Sequence, residues 1–338
     1  MPEGNYRVVS CEGGDQCGKA DAVLTLRRKL LDRGVSVTFS SFPIYATPFG
    51  TCIRKFLTGG MDGFNFDSRD ELRVKMALYA LNRLEFLDVV LSDQEYSRTL
   101  ILLDRGSFSN AVTLAYGIVN IEGLTDEEID EYVKLAFWLD NLMIRKLKLK
   151  DCVVQLIALD AKEGYSGNRI QKDITERKDV QQMTEKTYDI YQDKVGEGWK
   201  KIVTRMEEGW GDREEIFNGI YEFVVSRYGA FSSEAFPKDL SVNVREIIEN
   251  SYPGSEVERG DIVRYIDALE DNDKDQMYKY SIRIGEQISL TCEDFIIRDK
   301  EVERKFSVIF KRFPEIYEVL EEYLGERFKD LIKDSIEK

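Results

Sequence analysis

The chain has 338 residues, no histidine, and 63 Asp and Glu against 48 Lys and Arg, a formal net charge of −15. Without histidine there is no Ser-His-Asp or Cys-His catalysis, no His-ligated zinc or haem, and no His-based pH switch. The acidic balance argues against polymeric nucleic acid or an anionic membrane as a partner, yet leaves room for a small anionic substrate in a locally basic cleft.

In chain order, Arg7-Val8-Val9-Ser10-Cys11 reads as a short buried strand that ends in the glycine-rich run Gly13-Gly14-Asp15-Gln16-Cys17-Gly18-Lys19. Ala22 to Leu31 has apolar residues at helical spacing, closed by Arg33-Gly34, and Val35 to Phe39 reads as a second strand. Leu72 to Leu91 is predicted as a long helix, with Met76, Leu78, Tyr79, Leu81, Leu84 and Leu87 on its apolar side. Leu100 to Asp104 is a third strand whose four apolar residues imply burial on both faces. Cys152 to Leu159 and, more weakly, Lys201 to Met206 complete the strands. Alternating strands and helices predict an α/β fold with a parallel sheet covered on both faces.

The character changes after about Tyr228. Residues 229–338 carry 26 acidic and 17 basic side chains, a net of −9, and read as a separate, mainly helical acidic domain. The expected division is therefore 1–228 and 229–338. Five scattered cysteines with no C-x-x-C pair fit reduced thiols in a cytosolic protein better than a disulfide framework or a zinc ribbon. The N-terminal residues lack signal-peptide character, and no apolar run approaches the roughly 20 residues that cross a bilayer.

Gly13-x-x-x-x-Gly18-Lys19 stands between a buried strand and a helix, the context of a phosphate-binding P-loop. There Gly13, Gly14, Asp15, Gln16, Cys17 and Gly18 would wrap a phosphate chain with backbone N–H groups, and Lys19 would reach its outer phosphates. The next two residues depart from the pattern. Ala20 supplies no hydroxyl for Mg²⁺, and Asp21 either faces the phosphates or is turned outward as a helix-first-turn acid. Mg²⁺ would then rely on phosphates, water and a carboxylate such as Asp104.

Taken with four further segments, the chain resembles the thymidylate kinase family over residues 5–228. Cys11-Glu12-Gly13-Gly14-Asp15 is similar to the run that opens that family's P-loop, some members of which also carry Gly-Lys-Ala. Phe42-Pro43 with Thr47-Pro48, Tyr79 to Glu85, Asp104-Arg105 with Ser109, and Asp173-Ile174-x-Glu176 follow in the family's order. The resemblance implies a P-loop NTPase-type fold, ATP and Mg²⁺, a nucleoside monophosphate acceptor and a homodimer. It also implies that Phe42 and Ser109 border the acceptor, that Tyr79 stacks on its base, and that Arg83 reads the base O4. Tyr79 and Arg83 lie one helical turn apart, which puts them on one face. Arg105 would grip the acceptor phosphate and Asp104 would hold Mg²⁺ or orient the acceptor. Asp15 would approach the acceptor nucleotide, and Lys172 or Arg177 would supply a lid cation. Arg177 could equally pair with Asp173 or Glu176.

Some positions differ from the family. An acceptor-side Arg near Phe42 is replaced by Ser41 and Tyr45, the aromatic after Asp-Arg becomes Gly106, and Ala-Tyr-Gln becomes Val112-Thr113-Leu114. Losing a hydrogen-bonding reader weakens discrimination between bases. The function expected is ATP-dependent phosphorylation of a nucleoside monophosphate, with dTMP first. The alternatives are a non-catalytic nucleotide-binding relative serving regulation or assembly, and a P-loop kinase for another phosphate acceptor.

Overall fold

Seven short segments pair into one sheet: Arg7–Glu12 (β1), Val37–Ser41 (β2), Leu100–Asp104 (β3), Val153–Ala158 (β4), Trp199–Met206 (β5), Gly209–Trp210 (β6) and Asp239–Ser241 (β7). These come from a computed structural model, which describes residues 6–14, 17–45, 47, 49–50, 53, 57, 68–92, 94–158, 178–206, 209–229, 231 and 239–241. The strand order is β6-β5-β4-β1-β3-β2-β7. All neighbours are parallel except β5 and β6. The helices are Lys19–Leu31 (α1), Arg69–Ser92 (α2), Asn110–Asn120 (α3), Asp126–Leu139 (α4), Asn141–Lys146 (α5), Lys178–Val195 (α6) and Arg213–Tyr228 (α7). The α/β class with a parallel sheet flanked by helices is as expected.

Local chemistry explains the boundaries. In β3 the residues Leu100 to Leu103 are fully buried, consistent with an interior strand. The second strand starts at Val37 rather than Val35 because the Val35 N–H closes the end of α1 on the Leu30 carbonyl at 3.0 Å. The helix after the glycine-rich run starts at Lys19, directly behind Gly18 as N-cap. Helix α4 opens with a capping box between Thr125 and Glu128, and Asp212 caps α7 by accepting from the N–H groups of Glu214 and Glu215. Strands β6 and β7 had no signal in the sequence, being two and three residues long.

One face of the sheet is a continuous apolar core. Val9 and Cys11 of β1, Leu100 and Leu102 of β3, and Val154 and Leu156 of β4 meet Val23, Leu26 and Leu30 of α1 and Phe217, Ile220 and Val224 of α7. The alternate residues of β1, Val8, Ser10 and Glu12, face the other side, where Tyr188 of α6 reaches Glu12. Helices α3 and α6 are tied by the Thr187 hydroxyl, which donates to the Ala111 carbonyl at 2.9 Å.

Compactness divides the chain into one unit of Met1–Pro43 with Gly63–Val242 and a second of Ile44–Asp62 with Asn243–Lys338. The first takes in β7, beyond the division expected at residue 228. In the second, Thr47 Oγ1 donates to the Ile44 carbonyl and accepts from the Gly50 N–H, closing a tight turn. Of the expected C-terminal helical domain, residues 229–338, all but 229, 231 and 239–241 lie outside the described residues. No helix among the described residues is long and apolar enough to cross a membrane.

Candidate functional site

Parallel pairing lines up the carboxyl ends of four strands. Cys11 is opposite Asp104, Glu12 opposite Gln155, and Ser41 opposite Asp104. β1 lies between β3 and β4, so the chain leaves β1 at the point where the strand order reverses direction. Such a switch point is where open α/β sheets bind ligands. The glycine-rich loop occupies it and runs into the N-terminus of α1, where unpaired N–H groups favour an anion.

Gly13 has φ +139°, and a Cβ there would stand 2.4 Å from the Leu156 carbonyl oxygen, so both backbone and space require glycine. Two basic side chains close on the loop. Lys19 Nζ donates to the Gly14 carbonyl at 2.6 Å and lies 3.7 Å from Cys17 Sγ. Arg105 Nη1 donates to the Gly13 carbonyl at 3.2 Å, while its backbone N–H donates to Cys11. Arg105 holds the left-handed conformation, φ 66°, at the exit of β3. Lys19 and Arg105, expected at the phosphates, are thus brought to adjacent carbonyls of one loop.

Asp104 ends β3. Its Oδ2 accepts from Ser41 Oγ at 3.2 Å, and its Oδ1 is buried with no hydrogen-bond partner among the described residues. A divalent cation suits such an oxygen. Ala20 offers no ligand atom, so Asp104 is the described side chain that fits Mg²⁺ at this edge. No group of three or more Cys, Asp or Glu side chains among the described residues is arranged to hold a metal ion.

Glu12 is the buried carboxylate beside the loop. It accepts from Ser10 Oγ at 2.8 Å, Ser109 Oγ at 2.5 Å and Tyr188 Oη at 3.3 Å. Burial pushes its carboxyl above the usual range, and the two serine hydroxyls and Arg105 oppose that rise. Gly106 is explained by the same cluster, because a Cβ there would lie 2.3 Å from Ser10 Oγ and 3.1 Å from Glu12 Oε1. Ser109, expected beside the acceptor, points its hydroxyl into this cluster.

On the acceptor side, Arg83 is 1 % exposed. Its Nε and Nη2 donate to Asp140 Oδ1 and Oδ2 at 2.7 and 2.6 Å. A buried guanidinium needs such a partner, and the side-on pairing leaves Nη1 as the nitrogen that Asp140 does not hold. Asn110 adds Nδ2 to Asp140 Oδ2 at 3.4 Å. Burial raises the Asp140 carboxyl, with Arg83 opposing. Tyr79, one turn earlier, is half-buried on the same helix. Phe42 is buried edge-on against Phe86, with ring centroids 5.3 Å apart, and its N–H donates to the Asp104 carbonyl. Asp21 reaches Arg213 of α7 at 3.2 Å, the outward alternative of its two readings. Asp15, Gln16, Lys172 and Arg177 lie outside the described residues.

Several residues at this edge had no signal in the sequence. Helix α6 leans over the loop, so that a Cβ on Gly14 would meet Gln181 Oε1 at 2.6 Å and Thr184 Cγ2 at 3.9 Å. On the same helix Glu185 accepts from Gln155 Nε2 at 3.2 Å, and Gln155 Oε1 accepts from Trp199 Nε1 at 2.9 Å. Burial pushes the Glu185 carboxyl up to about 7, with Asp189 adding and Lys201, Gln155 and Lys19 subtracting. Thr204 Oγ1 donates to the Cys17 carbonyl. Asp140, Gln155, Glu185 and Thr204 belong to no local motif, and only the fold brings them here.

No protein-family model matches the chain. Over 224 residues it is 27 % identical to a probable thymidylate kinase of Thermococcus kodakarensis, a match covering 65 % of this chain and 98 % of that one. Among solved structures, the thymidylate kinase of Candida albicans aligns at 19 % identity and TM-score 0.46, over 69 % of this chain and 99 % of that one. The thymidylate kinase of Ehrlichia chaffeensis aligns at 14 % identity and TM-score 0.41, over 64 % of this chain and 98 % of that one. The chain is similar in sequence to a probable thymidylate kinase at modest identity.

Proposed function

We propose that the chain transfers the terminal phosphoryl group of ATP, with Mg²⁺, to a nucleoside monophosphate, and that dTMP is its first acceptor. The observation that carries this reading is the convergence of Lys19 and Arg105 on neighbouring carbonyls of one glycine loop, beside the Asp104 oxygen that has no hydrogen-bond partner among the described residues. Similarity to a probable thymidylate kinase supports the reaction class.

Phosphoryl transfer asks a protein for alignment and for cations around the moving group. Lys19 and the loop N–H groups bind the donor phosphates, with Gly13 to Gly18 as the cradle. Arg105 binds the acceptor phosphate and draws it toward the same point. Asp104 would hold Mg²⁺, which when bound neutralises charge on the donor phosphates. Phe42 and Tyr79 flank the acceptor base, Arg83 Nη1 donates to its carbonyl edge, and Asp15 and Ser109 border the nucleotide. Lys172 or Arg177 supplies the remaining cation. A homodimer belongs to the same proposal, and light scattering of the purified chain tests it.

The test is ADP release with ATP, Mg²⁺ and a panel of ribo- and deoxynucleoside monophosphates. Turnover greatest with dTMP supports the whole proposal, and turnover greatest with another monophosphate corrects the acceptor alone. ATP binding without turnover on any monophosphate would overturn the kinase reading in favour of a binding module.

A further inference from the structure

A phosphate loop works only if its N–H groups face the anion. The peptide group is planar and trans, so each N–H turned inward sends the preceding residue's carbonyl outward. A buried outward carbonyl then needs a donor. Among the described residues four loop carbonyls have one: Gly18 receives the Ala22 N–H inside α1, and three others receive side chains. Gly13 receives Arg105 Nη1 at 3.2 Å, Gly14 receives Lys19 Nζ at 2.6 Å, and Cys17 receives Thr204 Oγ1 at 2.6 Å. The first two donors are cations on long side chains, which a bound phosphate would draw off the carbonyls. Thr204 is different in kind, being neutral, short and 2 % exposed.

Its place is built by a β-bulge. Ile157 of β4 pairs with Val203 and Ala158 with Arg205, so Thr204 is the extra residue on β5. A bulge bends its strand and re-aims a side chain. Here it brings the hydroxyl to Cys17, with the Ile157 carbonyl at 3.1 Å as a second acceptor. The Thr204 carbonyl in turn accepts from the Gly211 N–H at 2.9 Å, which fixes the backbone beyond the bulge.

We propose that Thr204 is a positioning residue for nucleotide binding: its hydroxyl holds the Cys17 carbonyl outward and thereby aims the Gly18 N–H at a bound phosphate. This rests on the phosphate-loop reading above and extends it to a residue of β5, 187 positions from the one it holds. The consequence is specific to the donor subsite. Removing the hydroxyl frees one peptide plane of the cradle but touches nothing on the acceptor side.

Titration calorimetry of the full chain with MgATP, and separately with inorganic tripolyphosphate, tests it. Thr204→Val, which keeps the shape and loses the donor, is expected to bind both about tenfold more weakly. Thr204→Ser should recover most of the affinity, and Thr204→Cys, a weaker donor, should fall between. Thr204→Val with wild-type affinity and a lowered unfolding midpoint would make the residue merely structural and overturn the proposal. Should Thr204→Val not fold, Thr204→Cys decides, and wild-type affinity there overturns the proposal. A wild-type chain that binds neither probe would overturn the phosphate-loop reading and Thr204's role together. Binding without turnover overturns the kinase reading alone.

Discussion

Lys19 Nζ and the Gly14 carbonyl oxygen stand 2.6 Å apart, so the lysine proposed to bind phosphate is held by the glycine loop itself. The contact keeps a buried ammonium satisfied until an anion draws it away. Binding then exchanges one acceptor for a charged one, a stronger partner. Lys19→Met is therefore expected to lower phosphoryl transfer by about a hundredfold to a thousandfold, as removal of a preorganised charge stabiliser does. Steady-state ADP release measures it, and a loss below tenfold would place the donor phosphates elsewhere.

Asp21 is the residue that made the loop look defective, and its carboxylate reaches Arg213 on α7. Both partners are well exposed, so the pair contributes at most about 1 kcal/mol and is screened by salt. Asp21→Asn should leave MgATP affinity within about twofold of wild type, since a charge turned outward is screened from the loop. Restoring a hydroxyl with Ala20→Ser should tighten MgATP binding while leaving metal-free ATP unchanged. Calorimetry with and without Mg²⁺ separates the two. Equal gains in both conditions would mean the new hydroxyl binds phosphate rather than metal.

What was legible in the sequence was local. The glycines, the lysine and the flanking apolar runs lie within 25 residues, and each obeys a short-range rule of turn, helix start or strand burial. Leu100 to Asp104 was read to the residue, because four consecutive apolar side chains have few other uses. The partners of the site residues were not legible. Arg83 and Asp140 are 57 positions apart, Glu12 and Tyr188 are 176 apart, and Cys17 and Thr204 are 187 apart. No periodicity couples such distances. Even Gly106, which looked like a simple departure from a family pattern, takes its meaning from Ser10 and Glu12 on the neighbouring strand.

The Arg83–Asp140 pair joins α2 to the junction of α4 and α5 with both side chains 1 % exposed. Truncating one partner leaves a buried charge uncompensated, so Asp140→Ala should cost about 3–5 kcal/mol of stability. Replacing both, as Arg83→Met with Asp140→Leu, should return most of that stability because the desolvation penalty leaves with the pair. If Arg83 also serves the acceptor base, the double variant folds but has a raised KM for the acceptor with KM for ATP unchanged. Urea unfolding and steady-state kinetics on the same three proteins decide this. A double variant with both KM values at wild-type level would confine Arg83 to the scaffold.

Glu185 gives the chain a pH dependence of definite sign. Burial of this α6 side chain raises its carboxyl from the ordinary 4.5 to about 7, despite Lys201, Gln155 and Lys19. In the unfolded chain the group ionises near its ordinary value, so between about 4.5 and 7 the folded state binds the extra proton. Folding is therefore favoured at the acid end of that window. Stability falls as pH rises through it and levels off above 7. A shift of this size corresponds to about 3 kcal/mol at most, reduced by the part of the side chain that still meets water. With no histidine in the chain, few other groups titrate there. Urea unfolding at pH 5 and pH 8 should show the wild type losing about 2 kcal/mol more than Glu185→Gln, which cannot ionise. Equal losses in the two proteins would assign the slope to the other raised carboxylates, Glu12 and Asp140.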